Sequence, residues 1–241
     1  MVPASTVKCL GRPRLDLVPA RRHPSKMGSA LATPEKPAQV SAQPPLQSGD
    51  RLSTHDFLRR YDAMPACKKA ELINGVVFMG SPVSSPHAQP DGFLHGLLGM
   101  FALARPGIVF EPNVTVIFNA RDTIQPDGIL RQISGPCQPG DDQLLHGPPE
   151  LVAETALSSA AYDLHQKREV CLRAGVAEYL VWDVHANRLH WWALVEDDYQ
   201  PLPRVDGVAE SRVFPGLKLH LDAMEGNDRP RALQTLQAAL S

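Results

Sequence analysis

The chain has 241 residues, of which 43% are hydrophobic, and it carries a formal net charge of −2 at pH 7. This length can bury one sizeable core, which predicts a single folded domain, and the near-neutral charge excludes a protein that holds long nucleic acid through a global basic field. Four scattered cysteines without a CxxC pair argue against a zinc site or a disulfide framework and predict a cytoplasmic protein, and no apolar run is long enough to cross a membrane.

The first 48 residues differ in composition from the rest of the chain. They are rich in Pro, Ala, Ser and Gln, and the first 30 contain six Lys or Arg against a single acid, Asp16. Such a segment cannot bury a core, so a disordered leader is predicted over residues 1–48. An organelle transit peptide, a twin-arginine signal at Arg21 and Arg22, and a true start at Met27 are the alternatives, although no apolar segment follows the arginine pair.

A globular domain is predicted at residues 49–225, and it begins with a short helix. Ser53 or Thr54 can act as the N-cap of this helix, and its apolar side includes Phe57 and Leu58.

A hairpin and a long helix are predicted next. Asn74 and Gly75 separate two apolar runs and tolerate positive φ, so the hairpin spans residues 70–79. The helix runs from His87 to Ala104. Its apolar residues recur at helical spacing and predict a face buried in the core: Phe93, Leu94, Leu97, Leu98 and Phe101.

The middle of the chain is predicted to be mainly β-structure. The segments 108–111 and 114–118 predict strands, and the strands that carry Asp127 and Glu154 follow them. The Pro- and Gly-rich interval 132–149 between these two acids is predicted to be a loop.

A second helix is predicted from Ala160 to Ala174. Ser158 or Ser159 can cap its start, and Gly175 stands where a C′ glycine belongs. The remaining elements are predicted strands at 178–183, 188–194, 199–204 and 212–221 and a C-terminal helix within 226–241.

Two acids, Asp127 and Glu154, stand within short apolar runs. A carboxylate is costly to bury there unless it is paired or coordinates a metal. Mg²⁺ takes oxygen ligands and is commonly held by one or two protein carboxylates together with a substrate phosphate. The pair therefore predicts a magnesium site, and Lys167 would be the third residue of this site.

Several short motifs occur in a fixed order between residues 51 and 222. They are Glu71-Leu72-Ile73-Asn74-Gly75-Val76-Val77, Ser81-Pro82 followed by His87, Gln125-Pro126-Asp127, Gly147-Pro148-Pro149-Glu150-Leu151-Val152-Ala153-Glu154, then Asp163, Lys167, Ala174-Gly175-Val176-Ala177-Glu178-Tyr179 and Trp182-Asp183. Each fragment alone is weak, but the ordered set resembles the Uma2 family, a branch of the PD-(D/E)xK nuclease superfamily.

This resemblance implies an α/β fold with a restriction-endonuclease-like core, in which helices flank a central mixed β-sheet. It also implies an endonuclease that hydrolyses phosphodiester bonds in DNA with Mg²⁺ or Mn²⁺. Asp127 and Glu154 would bind the cation, and Lys167 would orient the attacking water and stabilise the anionic transition state. Asp163 lies four residues before Lys167, where it can pair with it on one helical face.

Three further residues are candidates around this site. Glu71 is a possible additional cation ligand, and His87 and Asp163 are candidates for contact with the substrate or for support of the site. Ala156 stands where the superfamily commonly has its lysine, and the chain departs from the Uma2 branch in two places: Leu157-Ser158-Ser159 replaces a Ser-Pro-Ser segment, and Cys171 replaces a tyrosine. The lost hydroxyl leaves open a non-catalytic module that keeps the nuclease scaffold for binding or assembly.

Lys167 lies at the border of an apolar stripe formed by Leu164, Cys171 and Leu172. A long side chain there can lay its methylenes on apolar neighbours while its ammonium reaches an anionic pocket. Replacement of Lys167 by Met is therefore expected to leave folding almost unchanged.

The partners are predicted from the same features. DNA is the expected substrate, no membrane partner is expected, and Trp191 and Trp192 place one large ring on each face of a late strand, which favours a homodimer. The chain contains no HExxH and no GxxxxGK, which excludes those zinc hydrolase and NTPase signatures.

Overall fold

The computed structural model of the protein describes residues 44–67, 69–80, 84–157 and 162–241. Most of the predicted leader lies outside these ranges, as do Ser81, Pro82 and the predicted caps Ser158 and Ser159. The described end of the leader packs on the domain, because Leu46 is buried in one cluster with Phe57. Ordered packing therefore begins before residue 49.

Helices account for the elements that flank the sheets. Within the described ranges they are α1 (Thr54–Asp62), α2 (Ser85–Ala104), a π-helix (Tyr162–Lys167), α3 (Arg168–Ala174), α4 (Leu221–Glu225) and α5 (Arg229–Leu240). The predicted cap of α1 is confirmed, since the Asp56 N–H donates to Ser53 Oγ at 3.1 Å. Gly175 follows α3 with φ of 83°, as predicted for a C′ glycine. In the part of the chain that is described, no helix is long and apolar enough to span a membrane.

Most strands form two six-stranded sheets. The strands are β1 (Ala70–Ile73), β2 (Val76–Met79), β3 (Ile108–Pro112), β4 (Val116–Ile117), β5 (Thr123–Ile124), β6 (Gly128–Gln132), β7 (Gln138–Pro139), β8 (Leu145–His146), β9 (Leu151–Ala156), β10 (Glu178–Asp183), β11 (Arg188–Val195), β12 (Asp198–Pro201), β13 (Val208–Glu210) and β14 (Lys218–His220). The main sheet has the order β12-β11-β10-β9-β6-β3, and the second sheet has the order β2-β1-β5-β4-β8-β7. Both sheets mix parallel and antiparallel pairs, which confirms the predicted mixed α/β class.

In the second sheet, the predicted hairpin is confirmed, and the predicted loop at 132–149 is wrong. The hairpin turns at Asn74 and Gly75, whose φ angles are 53° and 75°. The interval 132–149, predicted to be a loop, contains β7 and β8 instead. These two-residue strands are too short to show an alternating pattern. β8 forms because β4 supplies a partner, with the Leu145 N–H donating to the Thr115 carbonyl at 3.1 Å, and β7 pairs in turn with β8.

The C-terminal region also differs from its prediction. The segment 212–221 was expected to be a strand, but only Lys218–His220 extends there, and α4 begins at Leu221. Phe214 and Leu217 are buried in the turn that precedes β14. Their apolar character comes from core packing in an irregular segment, which a strand pattern cannot distinguish.

The main sheet separates two apolar clusters. Leu151 and Ala153 of β9 face a cluster built with α2, α4 and α5, whereas Val152 and Ala156 face a cluster that includes α3 and the second sheet. Side chains alternate between the two faces along a strand, so Glu154 faces the same side as Val152. The predicted apolar face of α2 is confirmed by its buried residues: Leu94, Leu97, Leu98 and Phe101.

The two tryptophans of β11 lie on opposite faces, as predicted, but both have partners within the chain. Trp191 is buried and donates to Glu178 Oε2 at 3.1 Å. The ring of Trp192 stacks on His190 at 5.4 Å, and the Arg168 guanidinium lies 5.0 Å from its centre. These contacts account for both rings without a second copy, so the homodimer stays a prediction.

A buried acid ties the main sheet to the segment after β13. Glu178 has no exposed surface, and it also accepts hydrogen bonds from Ser211 Oγ at 2.9 Å and from the Arg212 N–H at 2.6 Å. Burial raises the pKa of this carboxyl, and the hydrogen bonds oppose the shift without cancelling it.

Replacement of Glu178 by Ala should lower the free energy of unfolding by about 3 to 5 kcal/mol, because several buried donors lose their acceptor. Glu178→Gln, which keeps one acceptor oxygen, should cost less. Urea unfolding measures both, with Glu169→Ala at an exposed ion pair as the control. Equal effects of Glu178→Ala and Glu169→Ala would contradict the structural role.

Candidate active site

The register of the main sheet brings Asp127 and Glu154 together. Asp127 immediately precedes β6, and the first residue of that strand, Gly128, pairs with Ala153 of antiparallel β9. The Asp127 N–H lies 3.4 Å from Glu154 Oε2, and the Thr155 N–H donates to Asp127 Oδ2 at 2.9 Å. Two carboxylates from neighbouring strands therefore meet, as the sequence predicted.

Lys167 lies between two of the predicted acids. Its Nζ is 2.6 Å from Glu154 Oε1 and 2.8 Å from Glu71 Oε1, and its side chain is only 1% exposed. Glu154 Oε1 is buried, and the Lys167 ammonium is its close ionic neighbour. Lys167 thus connects β1 of the second sheet to β9 of the main sheet.

The backbone that positions Lys167 is a π-helix, whereas the sequence predicted a regular α-helix through this region. The wider turn runs over Tyr162–Lys167, and such turns occur often at functional sites. The Tyr162 hydroxyl lies 3.3 Å from Glu71 Oε2, and its ring packs 4.6 Å from that of Phe78. Both ends of the π-helix therefore contact Glu71.

Asp163 is buried on the same π-helix. Its negative charge is among the influences that raise the pKa of Lys167, and its backbone carbonyl accepts a hydrogen bond from the Tyr179 hydroxyl at 2.9 Å. The electrostatic influence is consistent with the predicted neighbourhood of Asp163 and Lys167.

Lys69 belongs to the site and was missed by the sequence analysis. Its Nζ lies 2.7 Å from Asp127 Oδ1. A usable signal was present, because Lys69 stands two residues before Glu71, and residues two apart on an extended strand point to the same face.

Glu71, Asp127, Glu154, Lys69 and Lys167 form one group, which we call the carboxylate–lysine cluster. It combines three acidic side chains with two lysines; Glu71, Glu154 and Lys167 are buried, whereas Asp127 and Lys69 are partly exposed.

A polar strip on α2 borders the cluster from the other face of the sheet. The His87 ring contacts the Thr155 carbonyl through Nε2, and His95 Nε2 lies 3.2 Å from Asp91 Oδ1. Among the described residues, His87 Nδ1 is a buried atom of this strip without a hydrogen-bond partner. The sequence singled out His87 but missed Asp91 and His95, which follow it at intervals of four residues on the helix.

Burial and mutual attraction set the charge of the cluster. Burial alone would raise the pKa of the Asp127 carboxyl, but the Lys69 and Lys167 ammonium groups outweigh burial and lower it. Burial likewise acts to lower the pKa of Lys167, and the surrounding carboxylates, Glu154 first, raise it instead. Burial raises the pKa of Glu154, which Lys167 opposes without overcoming.

The donor atoms of the cluster suit a hard divalent cation. Asp127 and Glu154 offer carboxylate oxygens, and Glu154 Oε1 is buried with the Lys167 ammonium 2.6 Å away. No group of three or more acidic, His or Cys side chains in the described ranges is arranged to hold a metal. A cation here would therefore rest on two carboxylates, which is sufficient for Mg²⁺ when water and phosphate complete its shell.

Comparison with known proteins points to a nuclease-like fold. Residues 55–223, well over half of the chain, match the family model described as "Uma2: Putative restriction endonuclease". A crystal structure described as a "putative nuclease belonging to DUF820" from Anabaena variabilis has a TM-score of 0.52 and 10% sequence identity, and the match covers 72% of this chain and 92% of that one. At this identity the likeness shows a shared fold. None of the curated proteins matches the chain.

Replacement of Asp127 by Asn should destabilise the protein at neutral pH and much less in acid. The folded pKa of Asp127 is lowered, so its contribution to stability is complete above the unfolded value of about 4 and is lost as pH falls through the folded value. Urea unfolding of both proteins across pH checks this. The variant Asp197→Asn, at an exposed acid, is the control, and a pH-independent difference at position 127 would contradict the expectation.

Replacement of Lys167 by Met should lower the free energy of unfolding by about 3 to 5 kcal/mol, because Glu71 and Glu154 would lose their buried counter-charge. This differs from the expectation drawn from sequence, which placed the lysine only at the border of an apolar stripe. Thermal and urea unfolding measure the cost. The double variant Lys167→Met with Glu154→Gln should recover part of it, and a fully additive loss would argue against the ion pair.

Proposed function

We propose, because this chain belongs to the Uma2 family, that it is an endonuclease that hydrolyses phosphodiester bonds in DNA with Mg²⁺ or Mn²⁺. The observation that carries the proposal is the meeting of Asp127, which precedes β6, and Glu154 of β9 beside the buried ammonium of Lys167. Buried acids and a lysine in one cluster are typical of sites that handle a charged reaction centre. DNA is proposed as substrate from the family, and the net charge of −2 means that its contacts would be local.

Asp127 and Glu154 are the residues that would hold the cation. When bound, such a cation lowers the pKa of a coordinated water and neutralises charge on the phosphate. Lys167 would present its ammonium to the negative charge that develops during hydrolysis. Because both of its carboxylate partners are fixed by the sheets, the ammonium is already oriented before the substrate arrives.

Glu71 fits a positioning role better than a role as cation ligand. Its Oε1 accepts the Gln125 N–H at 2.7 Å and contacts Lys167, and its Oε2 lies 3.3 Å from the Tyr162 hydroxyl. Both oxygens are therefore already engaged. His87 would act in a similar way on the opposite face of the sheet, because it contacts the carbonyl of Thr155, the residue whose N–H binds Asp127.

The substitutions at Ala156 and Cys171 have different consequences. Ala156 is buried, and Lys167 brings its ammonium to Glu154 from the helix side instead. Cys171 is also buried, and burial raises the pKa of its thiol, so it adds no charge. The Tyr162 hydroxyl nevertheless reaches the cluster, which supports a site that functions without a tyrosine at position 171.

One observation favours a second candidate, a non-catalytic module for binding or assembly. Asp127 and Glu154 each have an ammonium as close neighbour, as they would in a purely structural ion-pair network. Calorimetry with Mn²⁺ separates the two candidates without knowledge of the substrate. Binding that disappears in Asp127→Asn supports the enzyme, and the absence of binding supports the module.

Cleavage of supercoiled plasmid DNA tests the proposed reaction directly. The wild-type protein should nick or cut the plasmid with Mg²⁺ or Mn²⁺, and chelation by EDTA should stop the reaction. Asp127→Ala and Glu154→Ala should each abolish cleavage, whereas Glu169→Ala, at an exposed ion pair, should retain it. Activity that survives both substitutions would exclude this site.

A further inference from the structure

The two lysines of the carboxylate–lysine cluster differ in their freedom to move. Lys167 is 1% exposed and lies between two carboxylates. Lys69 is 28% exposed, and the acid that it contacts, Asp127, is 13% exposed. Withdrawal of Lys167 would leave two buried acids without a cation, whereas Lys69 can turn toward solvent at a smaller cost.

Both carboxylate oxygens of Asp127 have a partner while Lys69 is in place. Its Oδ1 is 2.7 Å from the Lys69 ammonium, and its Oδ2 accepts the N–H of Thr155 at 2.9 Å. The contact with Thr155 belongs to the backbone of β9 and cannot leave without disturbing the sheet. A divalent cation at Asp127 would be repelled by the positive charge of Lys69. The ammonium must therefore move away before Asp127 Oδ1 can bind the cation.

We propose that Lys69 blocks the cation-binding carboxylate of Asp127 until a nucleic-acid substrate binds. In the absence of substrate, Lys69 pairs with Asp127 and weakens cation binding. A phosphate of an incoming nucleic acid offers the ammonium another anion, and a flexible four-carbon stem lets Lys69 move to it. Asp127 Oδ1 is then free for the cation.

This inference rests on the proposed function and adds an order of events to it. Because Lys69 serves Asp127 or the phosphate but not both, nucleic acid and cation raise each other's affinity, and the coupling is reciprocal. The device would keep the free protein from loading a reactive site before a phosphodiester is present.

Calorimetric titration with Mn²⁺ tests the inference through binding alone. Wild type, Lys69→Met, Lys69→Gln and the exposed-lysine control Lys218→Met are each titrated with and without a short DNA duplex whose phosphorothioate linkages resist hydrolysis. Removal of a unit positive charge next to the cation should tighten Mn²⁺ binding at least about tenfold in Lys69→Met without DNA. In wild type and in Lys218→Met, the duplex should tighten Mn²⁺ binding, and in Lys69→Met this gain should be largely lost.

The Mn²⁺ affinities of wild type and Lys69→Met separate the inference from the proposed function. Equal Mn²⁺ affinity of wild type and Lys69→Met overturns the inference and leaves the proposed function standing. No Mn²⁺ binding by either protein overturns both. Circular dichroism checks the fold of each variant. Lys69→Gln, which keeps a donor for Asp127 without the charge, should show a smaller gain in affinity, and it carries the same test if Lys69→Met does not fold.

Discussion

The buried ammonium of Lys167 is the interaction on which the rest of the site depends. An unpaired charge cannot be enclosed by protein without a large loss of solvation energy, so Lys167 requires Glu71 and Glu154, and they require it. These acids lie in different sheets, and the lysine comes from a third element, the π-helix. One ion-paired group thus fixes the second sheet, the main sheet and the helix relative to one another at the point where chemistry is proposed.

The alternation of side chains along β9 explains why this site can exist inside an apolar domain. Leu151 and Ala153 complete the cluster under α2, so the opposite face is free to carry Glu154 without opening that core. The wider turn of the π-helix brings Tyr162 and Lys167 to the same face. The fold itself is shared with a distant nuclease-like structure, and what gives this chain its proposed chemistry is the set of side chains in the carboxylate–lysine cluster.

The contacts that stabilise the cluster compete with the function proposed for it. The ammonium groups that make three buried acids tolerable also occupy the oxygens that a divalent cation would need. A protein can resolve this conflict if one lysine ammonium stays in place and another can move away from its carboxylate. Lys167 is enclosed and Lys69 is partly exposed, which matches this arrangement. Lys167 would stabilise the free protein, and the movement of Lys69 would let the site bind its divalent cation.

The sequence by itself determined the features that depend on neighbouring residues: the cap at Ser53, the turn at Asn74, the C′ glycine at 175, the apolar face of α2 and the family. Its motifs also selected Asp127, Glu154 and Lys167, which the fold brings together. Only the tertiary structure decided that Lys69 pairs with Asp127, that Lys167 is enclosed, that a π-helix replaces an α-helix, and that β8 pairs with β4 and β7 with β8. These outcomes depend on partners far apart in the chain, and local periodicity carries no information about which distant charge or strand will be adjacent.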